Sequence, residues 1–68
     1  MGIVKVIEVI AESEKSFEDA VANAVSEAGK TVKGIKSVWV DNLSAEVENN
    51  KVVRYRVNAK LSFLVADR

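Results

Sequence analysis

From Val52 to Val65 the chain alternates without a break. Val53, Tyr55, Val57, Ala59, Leu61, Phe63 and Val65 fall on one face, and Arg54, Arg56, Asn58, Lys60 and Ser62 on the other. Such a period-two pattern specifies a strand with one apolar face and one cationic face. Strands in globular proteins are typically about five or six residues long, so this one exceeds what a small domain needs for its own core. A chain of 68 residues forms one domain, and a domain of that size buries only about 60% of the surface its unfolded form exposes. The usual supports are disulfides, a structural metal or self-association. The sequence contains neither Cys nor His, which removes disulfides, thiolate or imidazole metal sites, Ser/His triads and Cys nucleophiles. Self-association is the remaining support.

The residues before this strand supply its partners. Ile3 to Ala11 is rich in β-branched residues and reads as a first strand. Its polar breaks, Lys5 and Glu8, have opposite parity, so apolar residues lie on both faces; a bulge or cover from a partner subunit would account for that. Ser16 is an N-cap with Asp19 three positions on. Phe17, Ala20, Val21, Ala24, Val25, Ala28 and Val32 keep the spacing of one apolar stripe, and Gly34 stands where a C-terminal cap is expected. These signals predict a single amphipathic helix over 16–33, with Glu18, Asn23, Glu27 and Lys30 on its solvated side.

A second strand follows over 35–48. Its apolar parity flips between Val38/Val40 and Leu43/Ala45/Val47, which predicts a β-bulge at Asp41-Asn42. Glu48-Asn49-Asn50-Lys51 makes the hairpin turn. If Val47 faces Val53, the loop is 49–51 with Asn50 or a neighbour in the left-handed region, and Glu46 lies opposite Arg54. A helix of about seventeen residues spans roughly 25 Å, whereas a strand of about thirteen spans over 40 Å. The helix therefore leaves apolar strand ends uncovered, expected around 61–65 and 35–40, together with the second sheet face.

Ten basic and ten acidic side chains give zero formal net charge, without the basic excess of a nucleic-acid binder, so a polyanion partner is not expected. The sequence has no apolar run near twenty residues and its start carries no signal-peptide pattern, so a soluble, cytoplasmic protein without membrane contact is expected.

In this order and length the residues resemble the dodecins. The resemblance rests on Val4-x-Val6-Ile7-Glu8-Val9-Ile10, on Ser13-x-x-Ser16-x-x-Asp19-Ala20, on Ala28-x-Lys30-Thr31-Val32, and on Tyr55-Arg56-Val57 followed by Phe63. It implies an α+β fold: one βαββ domain over 1–68, a three-stranded antiparallel sheet carrying one helix, assembling into a hollow homododecamer. It also implies a non-enzymatic protein that stores or sequesters riboflavin or FMN. In flavin-binding dodecins a Trp of the second strand stacks on the isoalloxazine and a Gln after the Tyr of the third strand hydrogen-bonds it. Here Ser37 occupies the Trp position, the one Trp comes two residues later at Trp39, and Arg56 occupies the Gln position. A two-residue step preserves the strand face, so Trp39 points away from the helix, like Arg56, Asn58 and Lys60. The candidate cofactor-binding residues are Trp39, Arg56 and Ser37. Trp39 is either a displaced stacking platform or an interface anchor with Arg56 or Lys60 over its ring. The alternative function is a shell that has lost flavin and serves as a structural or ion-binding assembly, with Asp41, Glu46 and Glu48 meeting hard cations at symmetry axes.

Overall fold

A computed structural model describes the backbone of residues 2–67 and the side chains through Val65. Strand β1 (Gly2–Ser13) leads into helix α1 (Phe17–Ala28), then β2 (Ile35–Glu48) and β3 (Lys51–Asp67). The strands form one antiparallel sheet in the order β1-β3-β2, so the long alternating strand is central, and both its neighbours present free edges. The fold is the expected βαββ arrangement.

The helix begins where its capping chemistry dictates. Ser16 is extended and its side chain accepts the Asp19 N–H at 2.9 Å. Ser13, buried at the end of β1, donates to Asp19 Oδ2 at 2.6 Å and accepts from the Lys15 N–H at 2.9 Å. Two serines thus satisfy the tight β1–α1 connection. Phe17 meets Tyr55 edge to face at 5.0 Å between ring centres and fixes the helix start on β3.

The helix ends earlier than its stripe suggests. Regular α-helix stops at Ala28, with Gly29 as cap in a right-handed conformation. The Lys30 and Thr31 N–H groups then reach back only three residues, to Glu27 and Ala28. Gly is among the poorest helix formers and β-branched Thr31 and Val32 follow it, so the expected extension to residue 33 is lost. Gly34 is a loop residue at φ +77 rather than the helix cap. Its carbonyl accepts the Leu64 N–H, and the Leu64 carbonyl lies 3.7 Å from where a Cβ would project. Left-handed backbone beside β3 explains glycine there.

The hairpin is tighter than expected. Glu48 pairs with Lys51 and Val47 with Val52, so the loop is Asn49-Asn50 alone, both at positive φ (53 and 64). Two left-handed residues form the turn whose twist matches the flanking strands, and Val53 is displaced as a bulge instead of pairing with Val47. Glu46 does lie opposite Arg54, at 2.6 Å between side chains. Asp41 is bulged as expected, and Lys36 forms a further bulge nearer the start of β2. In β1 the pairing is unbroken from Val4 to Ser13, with the irregularity at Ile3/Val4. The two-sided apolar pattern of β1 therefore remains: Ile7, Val9 and Ala11 turn toward the helix, while Val4, Val6 and Ile10 are exposed on the opposite face.

The buried apolar core is Ala20, Ala24, Val57, Ala59 and Leu61. It lies where the helix crosses β3 and β1. Leu61, expected at an uncovered strand end, is fully buried. Val40 and Val65 are exposed as expected, but the longest uncovered stretch lies toward the hairpin tip, at Leu43, Val47 and Val52. Among the described residues no helix is long and apolar enough to cross a membrane.

Candidate functional site

The helix-free face of the sheet is built in rows. Glu12, Arg56 and Ser44 share one row, Ile10, Asn58 and Asn42 the next, Glu8, Lys60 and Trp39 the third, and Val6, Ser62 and Ser37 the fourth. The bulge at Asp41 sets this register. By adding one residue to β2 it brings Trp39 opposite Lys60 and keeps the indole on the face without the helix. Trp39 remains 47% exposed, more than an indole of a finished core would be.

The neighbours of Trp39 are polar and close. Ser37 and Ser62 share a hydrogen bond of 2.6 Å, leaving the pair one further hydroxyl proton and free lone pairs to offer a ligand. The Lys60 ammonium lies 3.5 Å from Asp41 Oδ2. Of the two serines Ser37 is exposed, whereas Ser62 is buried at 7% exposure, so Ser37 is the hydroxyl a ligand beside the indole would reach.

Arg56 lies elsewhere. Its Nε and Nη2 both donate to Glu12 Oε2, at 2.8 and 2.6 Å, and it stands four residues from Lys60 along β3, roughly 13 Å. One chain therefore brings together Trp39 and Ser37 but not Arg56. Sequence reasoning missed the Ser37–Ser62 pair, and it placed Lys60 at the Trp39 ring only as part of an interface anchor, although the bulge at Asp41 makes Lys60 the direct cross-strand partner of Trp39. The cleft between β1 and the helix, about 550 Å³ and lined by Val9, Ile10, Asn23, Ala24 and Ala28, opens at the opposite edge of the sheet. Within one chain Asp41, Glu46 and Glu48 form no cluster, and no three acidic side chains among the described residues are grouped to hold a metal ion, so a site built from them would need carboxylates of several copies.

The dodecin family model matches residues 3–66. The chain belongs to the dodecin family. Solved structures agree over nearly the whole of this dodecin. A dodecin from Streptomyces coelicolor is 27% identical with a TM-score of 0.92, covering 98% of this chain and 96% of its own. A protein from Thermus thermophilus is 22% identical and superposes with a TM-score of 0.93 over all of both chains, a likeness of fold. The calcium dodecin of Mycobacterium tuberculosis, described as a calcium-chelating immunodominant antigen with a novel calcium-binding site, is 32% identical with a TM-score of 0.82 over 93% of this chain and 90% of its own. No functionally curated protein matches the chain.

Proposed function

We propose that this dodecin is a self-assembling, non-enzymatic flavin-binding protein that stores or sequesters riboflavin or FMN in the cytoplasm, within a hollow homododecameric shell. The observation that carries this reading is Trp39: a half-exposed indole on the helix-free face, with a cation and a hydroxyl pair beside it. The isoalloxazine of a flavin fits these residues, having an extended apolar face that an indole can stack on and a carbonyl-bearing edge that accepts hydrogen bonds. Ser37 takes the role of a small, hydroxyl-bearing neighbour that makes room for the ring. Arg56, held by Glu12 of its own chain, meets the ligand only if a neighbouring copy presents it. When bound, the flavin would contribute its light absorption and redox chemistry, and stacking on indole would quench its excited state.

The test is a fluorescence titration of the purified assembly with riboflavin and with FMN, beside Trp39→Ala. Quenching of both flavins by the native protein and its loss in a variant of unchanged sedimentation is the expected result. If the native protein quenches neither and Trp39→Ala dissociates the assembly, Trp39 is an interface anchor and flavin binding is dropped. Cation binding, as named for the Mycobacterium tuberculosis relative, is then the function to titrate.

A further inference from the structure

The cation that a ligand on Trp39 meets is set by which basic side chains of the helix-free face are already engaged. Arg54 donates to Glu46 at 2.6 Å, and Arg56 donates twice to Glu12. Lys60 differs from both. Its ammonium lies 3.5 Å from Asp41 and makes no hydrogen bond among the described residues, whereas the two arginine pairs, comparably exposed, close to 2.6 Å; an exposed ion pair without a hydrogen bond is the weakest held of the three. Lys60 is also the direct cross-strand partner of Trp39, a placement that brings Cβ atoms to about 5 Å, whereas Arg56 is displaced two rows along the sheet.

Resting on the flavin reading above, we propose that Lys60 is the specificity-determining residue of the site. It donates a charge-assisted hydrogen bond to the carbonyl-bearing edge of a ring stacked on Trp39, with the Ser37–Ser62 hydroxyls on the adjacent row. The family's amide donor at position 56 is thereby replaced by an ammonium at position 60, just as its indole is moved from position 37 to position 39. The ligand class this selects is a planar heteroaromatic with an acceptor-rich pyrimidinedione edge, recognised through its ring and not through a phosphate. Asp41 competes with the ligand for the same ammonium.

Titration of the intact assembly with riboflavin and FMN, in native protein and in Lys60→Met, Lys60→Arg, Asp41→Asn and Arg56→Met, tests this. Losing a hydrogen bond from a charged group weakens binding by about tenfold or more. Lys60→Met is expected to weaken riboflavin and FMN alike on that scale and by more than Arg56→Met does. Lys60→Arg should retain most of the affinity, and Asp41→Asn should tighten both ligands. The inference is overturned if Lys60→Met binds both flavins as the native protein does, if it weakens FMN alone, or if the larger loss falls on Arg56→Met. Native protein that binds neither flavin overturns the flavin reading and this one together. Native binding with an unaltered Lys60→Met variant overturns this one only.

Discussion

Leu61 and its neighbour Lys60 show how one residue step divides the work of β3. Leu61 is fully buried under the helix, while Lys60 emerges beside Trp39 on the opposite face. Truncating a buried leucine costs about 2–5 kcal/mol, a large part of the 5–15 kcal/mol that holds a typical domain. Leu61→Ala is therefore expected to lower the denaturation midpoint strongly, measured by urea titration followed by circular dichroism, whereas Lys60→Met leaves it nearly unchanged. At this scale much was legible in the sequence. The alternation assigns every residue from Tyr55 to Leu64 to a face, and Glu46 opposite Arg54 together with one extra residue at Asp41 brings Trp39 opposite Lys60. The hydrogen bonds were not legible, because whether Arg56 reaches Glu12 depends on the β1–β3 register, which the local pattern does not encode.

At the scale of elements, the ends were harder to read than the cores. The stripe from Phe17 to Ala28 describes the helix because a period of 3.6 reports burial on one side, but half-buried Val32, its N–H bonded to the Ala28 carbonyl at 2.8 Å, carries that stripe past the end of the regular helix at Gly29. The hairpin differs for a similar reason. Matching Val47 to Val53 keeps both on one face, yet two adjacent asparagines at positive φ close a shorter loop, and the sheet absorbs the mismatch as a bulge. Each end gives a prediction. Removing the cap hydroxyl with Ser16→Ala is expected to cost about 1 kcal/mol, read as a lower midpoint in the same urea titration. Asn50→Gly, at φ 64, removes the steric cost of left-handed backbone and is expected to preserve or raise that midpoint; a marked fall would mean the turn does not close on Asn49-Asn50.

For the whole molecule, one helix of twelve residues, about 18 Å long, lies on a sheet whose long axis gives the subunit an extent of 53 Å. Among the described residues five apolar side chains are buried, against ten large hydrophobic ones left exposed. Such an excess of uncovered apolar surface marks an interaction surface, and two free strand edges bound it. The chain is therefore expected to sediment as a large homo-oligomer in dilute buffer. A 7.4 kDa monomer as the main folded species would sink both the assembly and the shell proposed from it. Val6→Asp separates the assembly from the fold of the subunit. Val6 is 47% exposed on the helix-free face, in the row of Ser62 and Ser37, so a carboxylate there stays hydrated in a lone subunit and becomes costly only when another copy covers it. Sedimentation of this variant should shift toward smaller species while its far-ultraviolet circular dichroism keeps the native strand and helix signals. Native-like sedimentation of Val6→Asp would place the interface elsewhere, on the uncovered stretch of Leu43, Val47 and Val52 near the hairpin tip.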